Sequence, residues 1–158
     1  ALHREGLRLL YVGFETGNDE VLAFMKKGNT AEEAIQQGRK LTEANMIFNA
    51  IIMYGIAGKD KCVENAKRTA KMLNQLKPRK IITMNLTVFQ GTELASLVKE
   101  GKFAEAGVKE KIREIKSLIE NLDVEKRVEF DTTHATNLVK LQGWLPEQRE
   151  EFIEKLEA

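Results

Sequence analysis

One cysteine, almost no net charge and no long apolar run mark this sequence, and each shortage excludes a class of protein. Cys62 has no second cysteine to pair with among the 158 residues, so an internal disulfide is excluded. A formal net charge of +1, with no long basic block in either half, argues against a dedicated nucleic-acid surface. No apolar run reaches the length of about 18 residues that indicates a membrane-spanning helix.

The composition is typical of a globular domain. Apolar residues make up 42% and charged residues 31% of the sequence, and a chain of this length can bury the core of one domain. The first residues, Ala1-Leu2-His3-Arg4-Glu5, do not resemble a signal peptide. We therefore expect a single soluble, cytoplasmic domain over residues 1–158, with no membrane and no nucleic-acid partner.

Segments typical of strands and of helices alternate along the chain. Apolar runs predict four strands, at residues 7–15, 47–55, 80–89 and 127–130. Apolar residues at helical spacing predict helices at residues 19–25, 30–44, 60–76 and 112–122, and Pro146 opens a last helix. Thr30 and Glu33 have the spacing of a capping box, and Asp60 is the expected cap of the third helix.

Repeated strand–helix units predict an α/β fold with parallel strands joined by right-handed crossovers. In the common folds of this kind the ligand lies at the carboxyl ends of the strands. Four strands are enough for an open sheet, but only for about half of a closed eight-stranded barrel. The chain is therefore expected to be one domain, or one half of a larger one.

The alternation of side chains along a strand predicts which residues share a face. In the first strand, Glu15 ends a row that is otherwise uncharged, and in the second strand Asn49 shares a row with Met53. In the third strand the polar row is Thr83, Asn85 and Thr87. We interpret this row as facing a cavity or a barrel lumen, with the apolar row packed under the helices. The alternative is a polar row that faces water.

Three motifs, in sequence order, resemble the carboxyl-terminal half of the barrel of radical S-adenosylmethionine enzymes. Gly13-Phe14-Glu15-Thr16-Gly17, followed by Met25-Lys26-Lys27-Gly28-Asn29-Thr30, is similar to the fourth strand of that family and its helix. Tyr54-Gly55-Ile56-Ala57-Gly58 is similar to the end of the fifth strand and its glycine turn, and residues 85–94 to the sixth strand and its exit loop.

The resemblance covers residues 7–95 and implies a partial TIM-like (β/α) barrel, with residues 96–158 supplying the last helices and strand. It is nearest to the anaerobic coproporphyrinogen oxidase-like, tRNA methylthiotransferase-like and cobalamin-dependent branches. The complete protein would then be an iron–sulfur oxidoreductase that forms a radical from S-adenosylmethionine.

The resemblance also implies roles for individual residues. Glu15, with Thr16 beside it, matches the polar position that hydrogen-bonds the ribose or the amino group of S-adenosylmethionine. Lys27 matches a basic position that reaches the methionyl carboxylate. Further cofactor contacts, on the adenine side, are implied for Gly55, Gly58, Asn85, Thr87 and Val88. The candidate substrate contacts are Asn49, Met53 and His134.

The sequence departs from the family in the residues that hold the metal cluster. The family binds a four-iron four-sulfur cluster through Cys-x3-Cys-x2-Cys, which one cysteine cannot supply. His3 and His134 with Cys62 show no metal-ligand spacing, so no metal site is expected in this chain. Ile51 replaces a ribose-binding acid of some relatives, and residues 55–59 read Gly-Ile-Ala-Gly-Lys where Gly-Leu-Pro-Gly-Glu is common. We expect a fragment that binds S-adenosylmethionine but is inactive alone.

Two other functions stay open. The chain could be a complete, non-catalytic α/β binding module for a nucleotide-like ligand or a protein partner. The third hypothesis is a cluster-free barrel enzyme such as an aldolase. No lysine lies within the second or third strand, and Lys80 is at a strand start, so a Schiff base is unsupported. A half barrel would leave a strand edge and an apolar row uncovered, so we also expect self-association or a partner at that edge.

The carboxyl-terminal third carries one further candidate. Residues 131–137 follow the last predicted strand, where barrel enzymes place catalytic groups. One interpretation is that His134, oriented by Asp131 and Asn137, acts as an acid or base or contacts a substrate carboxylate. The alternative is a surface histidine beside a turn. Residues 109–126 are predicted to form a solvated helix face, and residues 143–146 to pack the last helix against the sheet.

Overall fold

One open sheet is the framework of the protein, which a computed structural model describes at residues 3–123, 125 and 127–158. In these residues five strands lie side by side in chain order: β1 (Leu9–Glu15), β2 (Ile47–Tyr54), β3 (Lys80–Asn85), β4 (Val128–Asp131) and β5 (Gln142–Leu145). The first four strands are parallel, and β5 is antiparallel to β4.

Helices cover one face of this sheet. Within the described part of the chain they are α1 (Asp19–Phe24), α2 (Ala31–Glu43), α3 (Cys62–Leu76), α4 (Glu93–Lys99), α5 (Val108–Asn121) and α6 (Arg149–Glu157). The main core joins β2, β3 and β4 to α2, α3, α5 and α6. On the opposite face, which we call the open face, Tyr11 is 62% exposed.

Local sequence explains why these elements form. Strand β2 buries Phe48 and Ile52 in the helix-side core, with their side chains on one face because alternate residues of a strand point the same way. Helix α2 begins at the predicted capping box: the Thr30 hydroxyl accepts a hydrogen bond from the Glu33 N–H, and Glu33 accepts one from the Thr30 N–H. Helix α3 ends where Lys77 adopts a left-handed conformation, φ 50°.

Several predicted boundaries were wrong. Asp60 does not cap α3, because the helix starts after Lys61 with no side-chain capping bond, and Asp60 itself has φ 64°. Strand β3 ends at Asn85, not at residue 89, and a short helix that was not predicted, α4, follows it. The last helix starts at Arg149, three residues after Pro146.

The segment around residues 143–146 has a different role from the one predicted. It forms most of the antiparallel strand β5, which pairs with β4 and ends the sheet, instead of only packing α6 against it. Strand β4 itself runs one residue further than predicted and so includes Asp131.

The polar row of β3 faces the helices, which corrects the prediction that it faces a lumen. Thr83 is in register with Ile52, and Asn85 with Tyr54, and both partners belong to the core shared with the helices. Residues paired across neighbouring strands point to the same face of a sheet. The apolar residues of β3 that alternate with this row therefore lie on the open face, while Thr87 lies beyond the strand.

Candidate functional site

The carboxyl ends of β1 to β4 meet at one edge of the sheet, which we call the carboxyl edge, and Glu15 is the charged residue that ends β1. The register shifts between Gly13 and Glu15, as in a β-bulge. Glu15 has φ 66°, and the Thr16 N–H donates to the Phe14 carbonyl at 2.8 Å. This bond makes Glu15 the centre of a three-residue turn with positive φ, a rare and strained conformation.

The turn brings the Glu15 carboxylate next to a lysine and to bare backbone. Lys27 Nζ lies 3.4 Å from Glu15 Oε1, and the two side chains are 39% and 16% exposed. A Cβ built on Gly13 would lie 3.0 Å from the same oxygen, so the carboxylate sits over the exposed Gly13. Glu15 Oε2 is buried and has no hydrogen-bond partner. A buried carboxylate oxygen without a donor is a place where a ligand donor fits.

Thr16 is directed away from this pair. It is 1% exposed, and its hydroxyl donates to Asn65 Oδ1 at 2.6 Å. The structure therefore places Thr16 in the interface with α3, and its predicted ligand contact stays an untested prediction.

The glycine turn after β2 is buried. Gly55 and Gly58 both have positive φ, 80° and 81°. A Cβ on Gly55 would lie 2.7 Å from Lys111 Cε, and one on Gly58 would lie 2.9 Å from the Ala104 carbonyl oxygen. Close packing by the segment before and within α5 explains these glycines, and it occupies the space above their Cα atoms.

The ends of β3 and β4 are joined by amide side chains. Asn85 Nδ2 donates to the Thr136 carbonyl at 3.2 Å, and Asn137 Nδ2 donates to the Thr83 carbonyl at 2.7 Å. The Oδ1 atoms of both asparagines are buried without a partner. Thr87 is exposed in the loop after β3 and Val88 is half-buried.

His134 is a surface residue in this structure. Its Nδ1 atom lies 2.8 Å from Thr136 Oγ1, in an exposed hydrogen bond. Asp131 does not orient it: the Asp131 carboxylate accepts hydrogen bonds from Thr133 and pairs with Lys80. The geometry matches the surface alternative for this histidine.

The two candidate substrate residues of β2 lie on the open face, since they alternate with the core residues of that strand. Asn49 is 3% exposed, and its Oδ1 has no partner. Met53 packs beside the small cluster of Val21, Ile56 and Ala57, which joins α1 to the turn after β2. Whether either residue touches a substrate stays a prediction.

An ion-pair cluster on the open face was not predicted. Lys80 Nζ lies 2.6 Å from Asp131 Oδ2 and 3.1 Å from Glu129 Oε1. Burial by itself would lower the pKa of Lys80, but the bonds to the two carboxylates raise it above its ordinary value. Burial would raise the pKa of Asp131, yet the bonds from Lys80 and Thr133 lower it. Both groups are thus held in their charged forms.

A buried carboxylate on α5 was not predicted either. Glu114 is 3% exposed, although residues 109–126 were predicted to be a solvated face; Lys126, at the end of that stretch, lies outside the described residues. Lys109 and Arg113 are exposed as predicted. Lys111 and Ile115 on the same helix are buried as well. The only sign in the sequence that Glu114 is buried is therefore its position on the apolar stripe of the helix.

The described residues offer no place for an iron–sulfur cluster. Cys62 is 1% exposed at the start of α3, and its thiol contacts the Gly58 carbonyl. Burial and nearby carboxylates raise the pKa of this thiol, which opposes the thiolate form that metals need. No group of three or more His, Cys, Asp or Glu side chains in the described part of the chain could hold a metal ion.

Helix length and cavity position bear on two other kinds of site. None of the helices in the described ranges is long and apolar enough to cross a bilayer. A cavity of about 280 Å³ lies at the opposite end of the strands from the carboxyl edge, between Met46, Pro78 and Arg127. It contains none of the predicted site residues.

Fold and site geometry together define an α/β protein with a mostly parallel, open sheet and polar groups at its carboxyl edge. Neither the comparison with family models nor that with curated proteins finds a match. Among solved structures, the chain is similar to the archaeal Methanocaldococcus infernus Elp3 with an N-terminus deletion (1–46), at a TM-score of 0.67 and 20% sequence identity. The match covers 98% of this chain and 37% of that one.

This likeness confirms the predicted fold class, an α/β sheet consistent with part of a TIM-like barrel. The chain spans little more than a third of the length of the structure that it matches.

Proposed function

We propose that this chain is the S-adenosylmethionine-binding half of an iron–sulfur radical oxidoreductase. The observation that carries the proposal is the pair of Glu15 and Lys27 at the end of β1, with the buried Glu15 Oε2 lacking a donor. The pair stands at the positions that the sequence motif assigns to the cofactor. Its strained backbone also supports the proposal, because such strain concentrates at ligand sites.

The chemistry of the pair suits one end of the cofactor. S-adenosylmethionine carries an ammonium group, a carboxylate and ribose hydroxyls. Glu15 Oε2 can accept from an ammonium or hydroxyl donor, and the Lys27 ammonium can pair with the carboxylate. Gly13 has no side chain of its own, which leaves room for the Glu15 carboxylate over its backbone.

The adenine end is assigned to the ends of the neighbouring strands. The end of β3 lies two strand spacings from β1, about 10 Å away, a distance that an extended nucleoside can cover. There Asn85 ends β3 and Thr87 lies in the loop that follows, whereas Gly55 and Gly58 are packed against α5 and the segment before it. We therefore place the adenine nearer to β3 than to the glycine turn.

This chain lacks the ligands to bind the iron–sulfur cluster. Because the residues present do not fit an iron–sulfur centre, the radical chemistry of the parent enzyme is assigned to residues elsewhere, and the chain alone is expected to be inactive. Its own contribution is to bind and orient the cofactor's amino, carboxylate and ribose groups.

The test is a titration of the chain with S-adenosylmethionine, followed by amide chemical shifts. We expect saturable shifts at Gly13 and Lys27 in the wild type. Glu15→Gln keeps the shape of the side chain but removes its charge, and should weaken binding roughly ten- to hundredfold, the value of a hydrogen bond to a charged group.

A matched control is available on the same surface. Lys26 pairs with Glu93 at 2.5 Å, and the two side chains are 71% and 64% exposed. Glu93→Gln should therefore leave the affinity unchanged. In addition, Lys27→Gln should abolish the preference for S-adenosylmethionine over methylthioadenosine, which lacks the amino acid part. The proposal is wrong if the wild type shows no saturable shifts, or if Glu15→Gln and Glu93→Gln weaken binding equally.

A further inference from the structure

A chain of buried hydrogen bonds runs beneath the carboxyl edge, starting at Glu114 of α5. Glu114 Oε2 accepts from the Gly55 N–H at 2.6 Å, and Glu114 Oε1 accepts from Asn65 Nδ2 at 2.8 Å. Both carboxylate oxygens are thus used by donors, one from the turn after β2 and one from α3.

The same chain continues to the turn after β1. Asn65 Oδ1 accepts from the Thr16 hydroxyl at 2.6 Å, and Thr16 Oγ1 accepts from the Asn18 N–H at 3.1 Å. Beside it, the Gly17 N–H donates to Thr69 Oγ1 at 3.0 Å. Residues 16–18, which directly follow Glu15, are therefore tied to α3 and through it to Gly55.

Of the two turns that this chain joins, the one at Glu15 needs external support. Glu15 is a non-glycine residue with positive φ, and strained conformations persist only where the surroundings hold them. A buried polar network is costly unless every member has a partner. The donors and acceptors from Gly55 to Asn18 are matched one to one, so the network can fix the turns without leaving an unpaired group between them.

We propose that Glu114, Asn65 and Thr16 are positioning residues that set the Glu15 turn relative to the Gly55 turn and so preorganise the Glu15–Lys27 pair for its ligand. The identity of that ligand rests on the proposed function. The mechanical link between the two turns does not, because it follows from the hydrogen bonds alone.

The link can be tested by exchanging amide and carboxylate. Asn65→Asp sets two buried carboxylates against each other with no donor between them. Adding Glu114→Gln restores every bond, with only the bond between positions 65 and 114 reversed in direction. The new amide at position 114 can donate to the new carboxylate at position 65 and still accept from the Gly55 N–H, while the Thr16 hydroxyl still donates to residue 65. Both substitutions keep the side-chain size.

The first measurement is hydrogen exchange at single amides. We expect Asn65→Asp to speed exchange at both Gly55 and Asn18 by roughly tenfold or more, and the double variant to return both towards wild type. Thr16→Val, which replaces the hydroxyl by a methyl group of similar size, should speed exchange at Gly55 although that residue is in another turn. If Asn65→Asp does not fold, Thr16→Val tests the link in its place.

The second measurement separates positioning from general stability. Leu156→Ala on α6, where Leu156 is 8% exposed, removes core packing far along the chain from both turns. Under conditions in which the two variants have the same free energy of unfolding, Asn65→Asp should weaken S-adenosylmethionine binding and Leu156→Ala should not.

Two results would overturn the inference: unchanged exchange at Gly55 in both Asn65→Asp and Thr16→Val, or equal losses of exchange protection at Gly55 in Asn65→Asp and in Leu156→Ala at matched stability. A wild type that fails to bind S-adenosylmethionine would overturn the proposed function instead, and the exchange data would still decide the link.

Discussion

At the residue scale, Glu15 has a backbone conformation that costs free energy and that a glycine would adopt without strain. Its φ of 66° costs a non-glycine residue about 1–2 kcal/mol. The side chain recovers part of this through Lys27, but an exposed or half-exposed ion pair contributes only about 0–1 kcal/mol. The balance favours a role for the carboxylate other than stability, in agreement with the proposed ligand contact.

Glu114 allows a prediction of pH dependence. Burial raises its pKa above the ordinary value of 4.5, against the opposing effect of the bonds from Asn65 and Gly55. A carboxyl whose folded pKa is raised binds its proton more tightly in the folded state. It therefore stabilises the fold most below pH 4.5, and this contribution is lost as the pH rises through the folded pKa.

We expect the free energy of unfolding of the wild type, minus that of Glu114→Gln, to fall as the pH rises from 4.5. Urea denaturation of both proteins across the acidic and neutral range measures this difference, in which groups shared by the two proteins cancel. The other titratable groups that act on Glu114 are Cys62, Glu110 and Tyr54. A difference that grows with pH would mean that the folded pKa is lowered.

At the scale of elements, the contact between the turn after β1 and α3 depends on one glycine. A Cβ on Gly17 would lie 2.6 Å from the Arg68 carbonyl oxygen and 2.9 Å from Met72 Cβ. Because the nearest atom is backbone, the neighbour cannot rotate away. Helix α3 and the turn can approach this closely only if residue 17 has no side chain.

Gly17→Ala should therefore destabilise the protein by about 1–3 kcal/mol, as overpacking usually does. Gly107→Ala is the control, because a Cβ there meets nothing within 4 Å. Gly107 is the N-cap of α5, so the loss should not exceed about 1 kcal/mol, the typical cost of alanine at an N-cap. Urea denaturation compares the two, and equal effects would contradict the packing argument.

The sequence predicted strands and helices best where a single local pattern decides the outcome. Strand β2 is a nearly continuous apolar run, and α2 has its capping box, so both were placed within about two residues. Strand β5 was missed because it is four residues long, contains Gly143 and depends on pairing with β4. No local pattern reports such pairing.

The orientation of β3 was mispredicted for a different reason. Polarity indicates the solvent side only when one face of a strand is dry and the other wet. Here the Asn85 side chain finds a partner in the Thr136 carbonyl, although the buried Thr83 Oγ1 has none. Glu15 and Lys27 were each selected from the family motif, but their contact with each other was not predicted. The Glu114 network joins residues far apart in sequence and had no local signal.

At the scale of the whole molecule, the part of the chain that the structure describes leaves the open face and one edge of β1 uncovered. Tyr11 is 62% exposed on that face, and within the described residues β1 pairs only with β2. Exposed strand edges beside apolar surface favour association. We expect the chain to self-associate at micromolar concentrations.

Sedimentation velocity over a range of concentrations measures this association. Tyr11→Lys should weaken it, because a charge on the open face must be desolvated in the interface. Phe89→Lys is the control: Phe89 is 67% exposed but lies in the loop after β3, away from the edge strand. A monomer at every concentration, or equal effects of the two variants, would contradict the expectation.

The order of the strands in the sheet has a consequence for synthesis. Each strand pairs with the one that precedes it in the chain, so no strand has to wait for a distant segment before it finds its place. On a ribosome, these five strands can therefore join the sheet one at a time in chain order, and each new strand finds the edge of the preceding strand free. Strand β5, the antiparallel member, is the last of the five to join, and it pairs along the edge of β4.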